Sequence, residues 1–373
     1  MKSCPLHPEG SPIKPQWSTD QCIHCFRLAG GVVPVSSKAI IPMRGERTLP
    51  CRHDLGVIEY APCGKESMHR RECEIHDECT RGVSRIKSCQ MCDEYDSFPT
   101  YNLYTSAGGI GDAVSALYVA CGLADTGVSV RYRTRHLPWL IGVNHPDLEI
   151  LPHSSVGVNV AHDASGELKS SALGTCPSRP DWYCRNVSRM ANVRPFTASR
   201  PKKVQKPDPV IGSGYVVFSP FSHHHSREWP IARWQELAKS LSMAGRKVVV
   251  IDRAGRGNVL ERAFGQTAGV SWHFGMSPAW TVACIANASQ FVGNDSGMAH
   301  VAGLHGTPSV VVSTILKADF VFGKVVESIR GVEADGWDCQ GCGWQRPCPT
   351  GNRCGALDSI PAEKVLKRVL QLA

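Results

Sequence analysis

The chain has 373 residues, of which 42% are apolar and 20% charged, with a formal net charge of +8. That length holds two large domains or several small ones, and 35 Gly with 25 Pro fall short of a disordered composition. No run of about 18 apolar residues occurs, which excludes a membrane-spanning helix, and the start MKSCPLHPEG lacks the apolar centre of a secretion signal, so cytoplasmic residence is expected.

Cysteine dominates the first hundred residues. The chain has 17 cysteines, and 13 fall in three clusters. Residues 1–45 carry Cys4-x2-His7 and Cys22-x2-Cys25 around the turn-rich GSPIKPQWSTD. So short a segment has no core of its own and needs a metal to fold. Residues 46–100 repeat the theme, with Cys73, Cys79, Cys89 and Cys92 as the second expected ligand set. Cys51, His53 and Cys63 complete a further site or stay free. The third set, Cys339, Cys342, Cys348 and Cys354, lies near the C-terminus. Without a secretion signal, ligation by zinc explains these sets better than disulfides. The expectation is structural zinc, with iron–sulfur binding as the rival. Three such sites carry about five negative charges, which would cut the net charge to about +3 and weaken the case for a polyanionic partner.

The texture changes at Tyr101. Residues 101–105 read as a strand, Gly108, Gly109 and Gly111 as a turn, and 113–124 as a helix. Further strands are expected at 128–134, 148–152 and 156–161. Residues 199–209, SRPKKVQKPDP, form a basic proline-rich linker and the best domain boundary. Beyond it, strands at 214–220, 246–252, 270–274, 290–294 and 308–313 alternate with helices at 231–244, 258–264, 277–288 and 297–304. An amphipathic helix closes the chain at 361–372. Strand–helix alternation predicts parallel sheets of the α/β class. The domain reading is 1–45 and 46–100 as zinc modules, 101–205 as one nucleotide-fold domain, and 206–373 as the second.

Three motifs carry chemistry. Phe291-Val-Gly-Asn-Asp-Ser-Gly-Met-Ala-His300 places Asp295, Ser296 and Gly297 where a strand ends and a helix starts. Ligands of open α/β sheets bind there, and a helix start favours a diphosphate. Ser296 adds a hydroxyl, Gly297 lets a phosphate approach, and His300 lies one turn on. The bland reading is an ordinary helix cap. In Ala107-Gly-Gly-Ile-Gly-Asp112, the carboxylate at the mouth of a glycine turn can take a proton from a hydroxyl; helix capping is again the alternative. The loop Phe218–Pro230 offers Ser222, Arg227 and three adjacent histidines around a phosphate. Metal binding by those histidines is disfavoured, because consecutive loop residues rarely point one way.

Together, GNDSGMAH…GTP, GGIGD and REWP…RWQEL resemble glycosyltransferase family 9, the ADP-heptose:lipopolysaccharide heptosyltransferases, over residues 101–373. The resemblance implies a GT-B fold, with two Rossmann-like domains facing across a cleft. It implies inverting, metal-independent transfer from a nucleotide-activated sugar to an acceptor hydroxyl. Asp112 falls at the position of the catalytic base, and Arg227 where a phosphate-binding Lys is usual. Asp295, Ser296, Gly297 and His300 match the donor-diphosphate loop, with Gly109, Gly111 and Ser222 also on the donor side. Asp252 or Glu261 would meet the donor ribose. Zinc is the only expected cofactor. The domain at 101–205 is shorter than the family's acceptor domain and the two cysteine modules are additional. The acceptor is therefore a glycan or lipid, or alternatively nucleic acid or protein docked by the zinc modules. A non-catalytic zinc-finger protein on a degenerate transferase scaffold is the remaining alternative.

Overall fold

The computed structural model describes residues 100–105, 108–161, 167, 174, 176–253, 255, 257–343, 348 and 354–372. The expected zinc ligands Cys4, His7, Cys22, Cys25, Cys73, Cys79, Cys89 and Cys92 lie outside them, as do Cys51, His53 and Cys63.

The first lobe is a four-stranded parallel sheet. It contains β1 (Thr100–Tyr104), β2 (Ser129–Thr134), β4 (Leu148–Pro152) and β5 (Val158–Asn159), ordered β4-β2-β1-β5. In β2, Val130, Tyr132 and Thr134 are buried, while Ser129, Arg131 and Arg133 face outward. This period of two marks a sheet with one polar face. Arg131 pairs there with Glu149 at 3.1 Å, and Arg133 donates to Asn102 at 2.6 Å. The other face is covered by α1 (Ile110–Ala124) and α2 (Arg179–Met190). Every residue of α1 from Ala113 to Ala124 is buried. A helix apolar on all sides belongs at the centre of a molecule.

The second lobe is a six-stranded parallel sheet ordered β12-β11-β10-β7-β8-β9. Its strands are β7 (Tyr215–Ser219), β8 (Lys247–Asp252), β9 (Val270–Phe274), β10 (Gln290–Asn294), β11 (Ser309–Val312) and β12 (Ile329–Val332). Strands β7, β10 and β11 are wholly buried, because helices cover both faces. Helices α3 (Ile231–Met243), α4 (Gly257–Phe264) and α9 (Ala362–Gln371) pack on one face in their own apolar cluster. On the other face, α5 (Pro278–Ala286) and α6 (Gly297–Leu304) share a continuous apolar core with α1 and the first sheet. Short helices α7 (Ala318–Phe322) and α8 (Gly355–Asp358) complete the set.

The stretch read as a linker is a packed strap. Ser199 N–H donates to Tyr118 O at 3.0 Å. Lys202 pairs with Asp125. β6 (Lys203–Val204) runs antiparallel to β3 (Val143–Asn144). Arg200 crosses to the second lobe and donates to the carbonyls of Gly303 and Leu304 at 3.3 and 3.0 Å. Both carbonyls lie in the last turn of α6, where a cation is favoured, although Gly303 O also accepts from Gly306 N–H at 3.1 Å. Among the described residues, no helix is long and apolar enough to cross a membrane.

Candidate active site

Each sheet changes winding direction once, between β1 and β5 in the first lobe and between β7 and β10 in the second. Ligands of such sheets bind outside the strand ends at these points. Between the lobes lies a cavity of about 570 Å³. Its first-lobe wall includes Gly109, Gly111 and Asp112, and its second-lobe wall includes Ser222, Arg227, Asp295, Ser296, Gly297 and His300. All nine residues expected to bind the donor or act in catalysis thus face one space.

The second-lobe wall is built by strand ends. β10 stops at Asn294 and α6 starts at Gly297, with Ser296 as its cap residue in extended conformation. The Ser296 hydroxyl is buried and makes no hydrogen bond. At the start of α6, Ala299 N–H donates to Ser296 O at 3.1 Å, while the N–H groups of Gly297 and Met298 precede the helical ladder and carry partial positive charge. Arg227 closes the short turn His225–Arg227 and reaches Asp295 Oδ2 at 3.4 Å. Buried Asn294 fixes that loop: it accepts from Trp229 N–H at 3.1 Å and donates to Pro220 O at 2.6 Å. The His300 ring is buried and lies 4.6 Å from that of Phe322. Burial, reinforced by the Arg179 guanidinium, pushes its pKa down to about 4, so the ring is neutral near pH 7. A neutral imidazole still offers one N–H to an oxyanion.

Asp112 forms the opposite wall. Gly109 N–H donates to Oδ2 at 2.7 Å, closing the α1 cap, and Tyr183 OH donates to Oδ1 at 3.2 Å. The capping and the site readings of Asp112 therefore hold together. Burial alone would raise its pKa; the Arg179 charge, the Gly109 N–H and the Tyr183 hydroxyl outweigh burial and hold it below the usual carboxylate range. Asp112 is thus ionised and able to accept a proton at neutral pH. Gly108 has φ +100°, and a Cβ there would overlap the Asp112 carboxylate.

Two glycines also have a packing reason to be bare. A Cβ on Gly297 would stand 2.8 Å from Ile110 Cβ, and one on Gly111 would stand 2.7 Å from His300 Cδ2. Their smallness serves the close approach of α1 and α6. Gly109, by contrast, opens onto free space.

The model of Glycosyltransferase family 9 (heptosyltransferase) matches residues 186–314, about a third of the chain. The match and the fold make this chain a glycosyltransferase. Among curated proteins, none matches it in sequence. Its structure resembles E. coli ADP-heptose lps heptosyltransferase II (17% identity, TM-score 0.52, covering 73% of this chain and 98% of that one). It also resembles the iron-containing dodecameric glycosyltransferase TibC from enterotoxigenic E. coli (18%, TM-score 0.53, 74% and 76%). TibC in complex with ADP-D-beta-D-heptose gives 17% identity and a TM-score of 0.51, with 73% and 76% covered. At these identities the likeness is one of fold: α/β with parallel sheets, similar to GT-B heptosyltransferases.

Several residues of the glycosyltransferase cavity escape sequence reading. Arg179 on α2, His136 and Trp139 in the first lobe, and His273 and Trp280 in the second line it, and Tyr183 on α2 holds Asp112 from behind. Ser178-Arg-Pro-Asp181 was the available signal for α2, since Ser178 accepts from Asp181 N–H and caps the helix. Of the two ribose candidates, Asp252 lines the cavity and Glu261 lies exposed on α4. Of the three histidines, His223 lines the cavity, whereas His224 bonds Ser226 at 2.7 Å and stacks on His225.

The structure lends no support to zinc at Cys339, Cys342, Cys348 and Cys354. Among the described residues, no group of three or more His, Cys, Asp or Glu side chains is placed to hold a metal ion. The four thiols share a neighbourhood: burial pushes the Cys339 pKa up, and Cys354, Cys342 and Cys348 add to the shift. They do not converge on one point, however. Cys348 is exposed, and Cys354 Sγ lies 3.1 Å from Thr314 Oγ1.

Proposed function

We propose that this glycosyltransferase moves a sugar, heptose or similar, from a nucleotide-diphosphate sugar to an acceptor hydroxyl with inversion. One observation carries the reading: a single interlobe cavity holds an ionised carboxylate on one wall and a diphosphate-type helix start with an arginine on the other. Residues 101–205 serve the acceptor and 206–373 the donor. The ADP-heptose in the TibC complex supports an ADP-sugar as the first donor to test.

In this reading Asp112 takes the proton of the attacking hydroxyl. The hydroxyl oxygen bonds to the anomeric carbon from the side opposite the leaving diphosphate, and the configuration inverts. Negative charge grows on the diphosphate. Arg227, the unpaired Ser296 hydroxyl, the first N–H groups of α6 and a neutral His300 N–H meet it. Such donors, already oriented, each contribute about 3–4 kcal/mol at the transition state. They supply what a divalent cation supplies elsewhere, so the transfer is read as metal-independent. Asp252, at the end of β8, faces the donor ribose. Zinc belongs to the N-terminal cysteine sets and takes no part in the step.

The test is release of ADP from ADP-heptose with EDTA present, with the product anomer assigned by NMR. Asp112→Ala should lower turnover by about 10²–10⁴-fold while donor affinity holds. Turnover that survives Asp112→Ala, or that stops with EDTA alone, would refute the mechanism.

A further inference from the structure

The wall beside Asp112 carries a cation to which the proposed transfer assigns no ligand. Arg179 is the first residue of α2 and only 8% exposed. Its Nε donates to Glu167 Oε1 at 2.7 Å, and Glu167 is itself buried. No described residue accepts from Nη1 or Nη2, although Arg179 lines the cavity. Glu167 thus balances the charge but engages one N–H of five. A guanidinium taken out of water with most of its donors idle is costly unless a ligand completes it. The four idle N–H groups form the planar fork that matches a phosphate or carboxylate. Arg227 stands on the other lobe against Asp295, whereas Arg179 extends from the first lobe beside Asp112.

We infer that Arg179 forms a second oxyanion site, on the acceptor wall, which takes a phosphate or carboxylate carried by the acceptor beside its reacting hydroxyl. The site itself stands on the burial and idle donors of Arg179; the identity of its occupant rests on the transfer reading above. Glu167 is the positioning residue, since it fixes Nε and turns the fork toward the cavity. An acceptor lacking an anionic group would leave the fork unpaired and be discriminated against.

Inorganic phosphate, titrated into the full-length protein with and without saturating ADP and followed by phosphorus NMR and calorimetry, tests this. Phosphate should still bind when ADP is present. Arg179→Gln should weaken it by about tenfold or more, the scale of a lost charge-assisted pair. The E167Q/R179Q double variant, which removes both buried charges and so avoids stranding Glu167, should show the same loss. Arg227→Gln should weaken ADP and leave phosphate binding to the ADP complex unchanged. Absence of phosphate binding, displacement of all phosphate by ADP, or unchanged phosphate affinity in both Arg179 variants would overturn the proposal. An equal loss of ADP affinity in Arg179→Gln and Arg227→Gln would assign Arg179 to the donor instead, and would also overturn it. If ADP does not bind at all, the donor reading fails, while the phosphate titrations of the free protein still judge Arg179.

Discussion

Asp112 sits between opposing influences, with burial favouring its neutral form and four neighbours, Arg179, Gly109, His300 and Tyr183, favouring its charge. Tyr183→Phe removes one of those neighbours without emptying its space. The Asp112 pKa should then rise, so the acid limb of kcat/KM should move to higher pH while the plateau changes little. A limb that stays put would show that the Tyr183 hydroxyl does not tune the base. Histidine gives a second pH effect. His300 and His305 are buried, and burial pushes both from near 6.5 down to about 4. Below 6.5 the unfolded chain binds protons that these rings refuse when folded. Stability should therefore be full above pH 6.5 and fall as pH drops toward 4, by on the order of 3 kcal/mol for each ring. Both nitrogens of His305 lack partners, and His305 is not part of the cavity lining. His305→Leu should flatten the acid loss in thermal melts and leave neutral-pH activity intact.

At the scale of elements, the pairing of α1 with α6 decides the geometry of the site. Gly297→Ala pushes a methyl against Ile110, and α1 and α6 must part or tilt. Overpacking of this kind costs about 1–3 kcal/mol, and the same shift moves Asp112 away from Ser296. Both a lower melting temperature and a higher donor KM are expected; an unchanged pair of values would mean the contact is slack. The elements most legible in the sequence were those centred on apolar runs, such as Tyr215–Phe218 in β7, Phe291–Val292 in β10 and Val310–Val312 in β11, where burial on both faces leaves polar residues only at the strand ends. The expectation at 297–304 matches α6 residue for residue, since strand end, cap and helix start are contiguous in the chain. α2 was not legible. Its residues RPDWYCRNVSRM are polar overall, and its buried side, with Tyr183, Cys184 and Val187, is too short to register as a stripe. The same holds for the site: residues 295–300 could be read as a string, but Tyr183 meets Asp112 from 71 residues away. The packing of the basic stretch at 199–206 was hidden for a related reason, because Arg200 and Lys202 find partners that only the tertiary fold provides.

For the whole molecule, the cysteine modules and the transferase lobes make different demands. The ligand spacing in residues 4–25 and 73–92 predicts bound zinc in the full-length protein. Elemental analysis should find zinc rather than iron, and a chelator should remove it without lowering the melting temperature of the lobes. Iron in its place would redirect those modules toward redox chemistry. The lobes themselves are joined by more than the strap at 199–206, since one apolar cluster runs from the first sheet through α1 and α6 into the second. During synthesis the ribosome delivers α1 long before residues 297–304 emerge. Until then an apolar helix buried on every side in the finished protein has one flank bare. The nascent first half should accordingly need a chaperone for most of translation, and a gene cut at codon 206 should yield two aggregating fragments that regain solubility only when produced together.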